Sequence, residues 1–233
     1  MPALAIETSG RQGSVATVDA GHVLAEETFD HGLRHAAGIL AIIDRLTRAA
    51  GWGPADLAEI YVSAGPGSFT GLRVGVTVAK TLALALGVKL VAVPTVEVLA
   101  RNAPAGWQNL VIVLDAKRDQ IFTATFAKHS GGPIQTEPAR LDALPAILAR
   151  TPRPVHLLGE GIPYHRKFIP ESPDVIVTPE DTWRPRAAAV AEIGHAMART
   201  GEFTDADRLT PIYIRKPEAE EKWDAAQTGG PRR

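Results

Sequence analysis

The hydrophobic positions of this chain fall into blocks of two different periods. ALAIETS, residues 3–9, is a short apolar run entering a turn, as a buried strand does. GSVATVDAGHVLAEETF adds two more short runs around Asp19-Ala20-Gly21, a hairpin signal. From Leu33 to Ala50 the period changes to that of a helix. Leu33, Ala36, Ala37, Leu40, Ile43 and Leu46 share one side, Asp44, Arg45 and Arg48 take the other, and Gly51 supplies the stop. LAEIYVSAG is again a strand, Thr70 to Leu86 a helix, KLVAV a strand, and Pro94 to Ala100 the start of another helix. The order is βββαβα with a βα extension, which predicts an α/β sheet with helices packed on it.

RNAPAGWQN clusters Pro, Gly and Asn between two ordered segments and marks a boundary near residue 103. Beyond it, LVIVLDAKRDQIFTATF predicts two strands joined at Ala116 to Asp119. HSGGP is a turn, Leu141 to Arg150 a short helix, and VHLLGEGI a strand ending in a Gly-Glu-Gly turn. The last helix runs from Pro185 to Arg199, with Pro at its start and Gly201 past its end. The two halves resemble each other loosely. The expected units are residues 1–103, then a reduced second unit of 104–184, with the helix of about 185–200 returning to the first. The tail 224–233 has little to bury and is expected to be disordered.

Composition narrows the class. The 233 residues carry a formal net charge of −1, which argues against holding nucleic acid by bulk electrostatics. Arginine makes up 18 of the 25 basic residues, which permits a local phosphate-binding patch without placing one. The absence of cysteine removes disulfides, thiolate nucleophiles and cysteine metal ligands, and suits a reducing cytosol. The start MPALAIETSG lacks a basic region followed by a long apolar run, so a signal peptide is not expected. The apolar stretch Val74 to Leu90 carries Lys80 and Lys89 and is short for a bilayer, so the chain is expected to be soluble.

The stretch SAGPGSFTGLR, residues 63–73, has the glycine-rich turn between strand and helix that often cradles phosphate. It lacks the Gly-Lys-Ser/Thr of a P-loop. At the end of the first strand, Glu7 could hold a hydrated Mg²⁺, and Thr8, Ser9 and Gly67 could hold phosphate. A turn stabilised by short polar side chains explains the same residues. His31 and His35 have metal-pair spacing, but Gly32 lies between them and no third ligand is near. Asp115 and Asp119 could flank a reaction centre or sit on a solvated hairpin tip. His22, His129, His156, His165 and His195 have no evident partners.

The helix from Thr70 carries a more specific pattern. Gly71, Gly75, Ala79 and Ala83 recur every four residues, a stripe of small side chains that lets another backbone come close. Leu72, Val74, Val76, Val78, Leu82, Leu84 and Leu86 cover most of the rest, leaving Arg73, Thr77, Lys80 and Thr81 as a narrow polar stripe. A helix apolar nearly all round is buried on more than one side. Its own sheet covers one face, so a second domain or a partner chain is expected on another, with Gly71, Leu72, Gly75, Val76, Ala79, Lys80 and Ala83 at the contact.

At these residues the chain resembles a known family. ALAIETS, then SAGPGSFTGLRVGVTVAKTLALALGVKLVAVPTVEVLA, LDAKRDQIFTATF, LLGEGI and PIYIRKPEAE occur in the order and spacing of the bacterial TsaB (YeaZ) proteins, up to about Glu221. The GPGSFTGLR segment with its Ala-Lys helix is the specific part. The resemblance implies the actin-like ATPase and sugar-kinase fold, two related α/β domains with the second reduced. It also implies a non-catalytic scaffold in tRNA threonylcarbamoyladenosine formation, next to the anticodon, in the cytoplasm. The implied partners are a TsaD-type catalytic subunit, a TsaE-type ATPase, a second copy of the chain, and tRNA through the complex, with no membrane. The catalytic relatives carry a His-x-x-x-His metal pair where this chain has Thr95 and Leu99, and leucine cannot ligate a metal. The resemblance therefore implies no catalytic residue and no metal here, and no tightly bound cofactor, with ATP or ADP only at the TsaD interface. Two rival functions stay open: an active phosphotransferase of the same fold, resting on Glu7-Thr8-Ser9 and the two glycine turns, and a metallopeptidase, for which no metal site can be assembled.

Overall fold

A computed structural model describes residues 1–30 and 36–214. His31 and His35, and the tail 224–233, lie outside the described residues. The chain builds two sheets. The first takes β1 (Ala3–Glu7), β2 (Gln12–Asp19), β3 (His22–Asp30), β4 (Glu59–Gly65) and β5 (Lys89–Pro94), in the order β3-β2-β1-β4-β5. β1 is antiparallel to β2 and parallel to β4, and β4 is parallel to β5. Ala20 and Gly21 both take left-handed φ values, 48° and 83°, and close the β2–β3 hairpin at its predicted turn.

The second sheet repeats this plan. Its strands are β6 (Asn109–Ile112), β7 (Leu114–Asp115), β8 (Ile121–His129), β9 (Gly132–Asp142), β10 (Val155–Leu158) and β11 (Val175–Val177). β6 is antiparallel to β8 and parallel to β10, β9 lies on β8, and β11 lies parallel to β10. The pairing order β9-β8-β6-β10-β11 thus mirrors β3-β2-β1-β4-β5. The reduction is in the helices. α1 (Ala36–Ala49) and α2 (Phe69–Leu86) flank β4 in the first half. Their counterparts around β10 are α4 (Leu144–Arg150) and the single turn α5 (Ile162–His165), which runs on into a short 3₁₀ turn. The sequence pattern does not announce β9: it has no fully buried position and contains Pro133 and Pro138, so the alternation that marks a half-buried strand is missing.

α1 and α2 cover one face of the first sheet with a core of Leu4, Ile6, Ile39, Ile42, Ile60, Val62, Val76 and Val78. α6 (Ala187–Arg199) covers the other face, setting Ala187, Val190, Ala191 and Ile193 against Ala3, Ala5, Tyr61 and Val91. α3 (Thr95–Ala100) leads from β5 into the second unit and packs Val96 and Leu99 against Leu110 and Phe126. Residues 203–214 return as a strap. Thr204 bonds to Leu90 and Ala92 along the open edge of β5, a covering that blocks edge-to-edge pairing. Leu209 enters the core, and Ile212 N–H donates to the Ala64 carbonyl.

The small stripe of α2 faces inward, contrary to the expectation that a partner chain meets it. A Cβ at position 71 would stand 2.0 Å from the Thr8 carbonyl oxygen, and one at 75 would stand 2.1 Å from Thr8 Oγ1. Ala79 and Ala83 are buried in the same core, as are Leu72 and Val76. Lys80 is tied down, its Nζ donating to the carbonyls of Asp207 and Leu209 in the strap. The close approach that the stripe permits is therefore to the end of β1 in the same chain. By length and composition alone α2 could cross a membrane, but it lies packed on the sheet.

This contact fixes the sign of a substitution. Helix propensity alone makes alanine better than glycine by about 1 kcal/mol in a helix interior. Gly71→Ala is expected instead to lower stability by about 2 kcal/mol, on the scale of overpacked cores. Urea unfolding checks it, and an unchanged or raised midpoint would show that Thr8 does not hold α2 this closely.

Candidate functional site

The two halves meet at the carboxyl ends of their central parallel strands, where open α/β sheets place ligands. The loop after β1 supplies Ser9, Gly10 and Arg11, and the loop after β4 supplies Gly67 and Ser68. From the second sheet come Leu114 and Asp115 on β7, Phe122 on β8, and Glu160 and Tyr164 after β10. Together they line a cleft of about 290 Å³.

Both glycine turns are closed by contacts within the chain. Ser68 N–H donates to the Ser9 carbonyl at 2.7 Å, and a Cβ on Gly67 would stand 2.5 Å from that same oxygen. The Ser68 hydroxyl caps α2 by accepting from Gly71 N–H. In the second half, Gly161 N–H donates to the Val113 carbonyl, and a Cβ on Gly159 would stand 2.4 Å from that oxygen. Each turn thus uses its glycines for close approach of its own backbone, while Gly67 stays on the lining of the cleft. Of the three sequence-proposed nucleotide contacts, Ser9 and Gly67 line the cleft, whereas Thr8 is buried beneath α2.

Behind Ser9 lies Glu7, with no exposed surface. Ser9 donates its backbone N–H and its hydroxyl to Glu7 Oε1, while Oε2 has no hydrogen-bond partner. Burial pushes the Glu7 carboxyl above the usual range, against the lowering effect of the Ser9 and Ser63 donors, and the charge of Glu160 adds to the rise. A carboxyl held in this way is a poor ligand for a hydrated Mg²⁺.

Across the cleft, His165 Nε2 lies 3.0 Å from Asp115 Oδ1, and Lys117 N–H donates to the same oxygen. The imidazole is buried and its Nδ1 has no partner. The pair lacks a hydroxyl or thiol in contact with the ring, so it has the orienting half of a catalytic triad without the nucleophile. Asp119 instead pairs with Lys167 at 2.9 Å on the hairpin tip. Arg11 joins the halves, with its N–H donating to Glu160 at 2.9 Å and its guanidinium 4.9 Å from the centre of the Tyr164 ring. Arg11 and Tyr164 lie outside every segment singled out in the sequence, and Ser68 and Phe122, inside SAGPGSFTGLR and LDAKRDQIFTATF, carry no local sign that they line a cleft. Asp115 and His165 are visible in the sequence only singly, because nothing local links a strand end to a turn fifty positions on.

The positions aligned with the metal pair of the catalytic relatives belong to the interior. Thr95 Oγ1 shares a 2.7 Å hydrogen bond with Ser63 Oγ, and Leu99 is fully buried in the core of the second unit. On α2, the residues that point outward are Phe69, Thr70, Arg73, Thr77, Thr81, Leu84 and Ala85. Leu84 is 55% exposed, and Phe69 stacks between Arg73 and Tyr213 of the strap, with ring centres 5.2 Å apart and the guanidinium 3.8 Å above.

Comparison with known proteins gives a consistent result. A family profile described as TsaD, tRNA N6-adenosine threonylcarbamoyltransferase, matches residues 22–223. The chain is 32% identical to the tRNA threonylcarbamoyladenosine biosynthesis protein TsaB of Bacillus subtilis (strain 168), over 97% of this chain and 100% of that protein. It is 25% identical to the protein of the same name in Escherichia coli (strain K12), over 92% of this chain and 95% of the relative. Among solved structures, a Pseudomonas aeruginosa protein described as similar to peptidase YEAZ superposes with a TM-score of 0.78 at 24% identity, covering 92% of this chain and 99% of that one. YeaZ from the same organism gives 0.73 at 23% identity, covering 91% and 99%.

Glu7 yields a pH test. A carboxyl whose folded pKa is raised favours the fold fully below its unfolded value, near 4.5, and loses that contribution as pH rises through the folded value. Glu7→Gln keeps the acceptor for Ser9 and cannot ionise. Its melting temperature relative to the parent chain is expected to rise as pH increases above about 4.5 and to level off once the folded carboxyl ionises, read by thermal unfolding. A difference that stays flat or falls over that range would show that Glu7 is held as a carboxylate.

Proposed function

The chain belongs to the TsaB family and thus to tRNA threonylcarbamoyladenosine biosynthesis, and from that premise we propose that it serves as a non-catalytic scaffold subunit. It docks a TsaD-type catalytic subunit and, in competition, a second copy of itself. The assembly includes a TsaE-type ATPase, works in the cytoplasm, and takes tRNA as the substrate of the whole complex. The observation that carries this reading is the outward face of α2. Leu84 and Phe69 stand exposed there, with Val74, Leu82 and Leu86 half-buried at its margins. Exposed apolar side chains flanked by Arg73, Thr77 and Thr81 make the kind of patch that marks a protein interface. The docking helix is the one expected from its composition, but the contacting side chains are those of the outer stripe.

The site chemistry supports a scaffold over its rivals. A phosphotransferase of this fold needs a carboxylate free to hold Mg²⁺, and Glu7 is fully buried with Ser9 donating to it twice. A metallopeptidase needs ligands where Thr95 and Leu99 fill the interior. The chain by itself accordingly holds no nucleotide tightly, and ATP or ADP binds only where the TsaD-type subunit completes the site.

Leu84→Arg is expected to abolish homodimers and the complex with the TsaD-type subunit in analytical ultracentrifugation. Its unfolding free energy should stay within about 0.5 kcal/mol of the parent, as for other exposed positions. A variant that still dimerises and still binds the catalytic subunit sinks the assignment of this face. Calorimetry of the isolated chain with ATP and Mg²⁺ is expected to give no binding heat, and a stoichiometric signal would restore the phosphotransferase reading.

A further inference from the structure

We propose that the rim of the cleft on the side of the second sheet is a direct contact surface for RNA. In it, Lys117, Arg118, Arg166 and Lys167 meet phosphates, and Tyr164 with Arg11 stacks an unpaired base. The inference rests on the reading that the chain serves a tRNA-modifying assembly, and adds that this subunit itself touches the RNA.

The fold brings together two basic dipeptides that lie far apart in sequence. Lys117-Arg118 forms the tip of the β7–β8 hairpin, and Arg166-Lys167 lies in the 3₁₀ turn after α5. An ion pair and a hydrogen bond clamp these segments side by side: Lys167 Nζ to Asp119 at 2.9 Å, and His165 Nε2 to Asp115 at 3.0 Å. All four basic side chains are exposed. Among the described residues, Lys117 and Arg166 make no ion pair. The hairpin tip holds Lys117, Arg118 and Asp119 at φ values of 61°, 54° and 56°, three successive left-handed residues without a glycine. Such a conformation is uncommon outside sites that use it.

Of the neighbouring acids, Asp119 neutralises Lys167, whereas Lys117 and Arg166 face no carboxylate at ion-pair distance among the described residues. Asp115 faces His165 and the Lys117 N–H, Asp119 faces Lys167, and Glu160 accepts from Arg11 N–H. Next to the cations, Tyr164 is 51% exposed, with the Arg11 guanidinium 4.9 Å from its ring centre. Cations beside an exposed ring and a stacked guanidinium are the combination by which proteins hold single-stranded nucleic acid. An acidic protein segment would satisfy the cations but leave the stacking surface unused, so RNA is the better match.

The test uses the full chain, alone and with its TsaD-type subunit, and an unmodified tRNA transcript labelled for fluorescence anisotropy across a salt series. Lys117→Ala with Arg166→Ala is expected to weaken tRNA binding about tenfold and to flatten the salt slope by about 1.5, as loss of two phosphate contacts does. Tyr164→Ala is expected to weaken binding about tenfold with the slope unchanged, the signature of a lost stack. Size-exclusion chromatography with the TsaD-type subunit separates the two readings. Failure of the parent chain to assemble counts against docking through α2, while the RNA titration of the isolated chain still stands. The inference is overturned if the double variant binds tRNA with parental affinity and slope. It is equally overturned if the variant loses assembly but not RNA, as a surface for an acidic protein would.

Discussion

Thr8 occupies a notch that exists only because positions 71 and 75 carry no Cβ. Its carbonyl and hydroxyl lie where those carbons would be, so α2 rests directly on the end of β1. The rest of the first unit follows from this contact. It fixes the rotation of α2, with Leu72, Val76, Val78, Ala79 and Ala83 turned to the sheet and Phe69, Arg73, Thr77, Thr81 and Leu84 turned away. It also brings the loop after β4 onto the loop after β1, where Ser68 and Ser9 bond backbone to backbone. The turn is thereby held against the loop after β1, and the helix it launches leaves Phe69 and Leu84 on its exposed side.

The second half shows how the same plan behaves when its helices shrink. The strand order and parallel pairings are kept, but α5 is a single turn where α2 has five. A short helix leaves the strand ends uncovered, and the β7–β8 tip and the turn after α5 meet there through the Asp119–Lys167 and Asp115–His165 pairs. The cleft is therefore asymmetric. One wall is a capped helix start with packed glycines, and the other is an exposed rim of basic side chains around Tyr164. Arg11 and Glu160 bridge the two walls.

Much of this was legible before any fold. The strands β1 to β5, the helices α1, α2 and α6, and the hairpin at Ala20-Gly21 follow from period and turn chemistry, because each carries a strong local signal. β9 was not legible: an edge-like strand with no fully buried residue and two prolines has no alternation to read. The strap of residues 203–214 was equally silent, since its anchoring depends on the Leu90, Ala92 and Ala64 backbones that it meets.

The sequence by itself determined that Gly71, Gly75, Ala79 and Ala83 form one small-sided face, that position 99 is a leucine and so ligates no metal, and that the chain shares the order of TsaB segments. Those facts live in residue type and spacing. Only the tertiary structure decided which surface approaches the small face, namely the chain's own Thr8, and which side of α2 is left exposed. It also decided that Asp115 meets His165 and that two distant basic dipeptides share one rim. Spacing along a helix fixes which side chains lie together on it. What faces them is set by the register and rotation of elements that are remote in sequence.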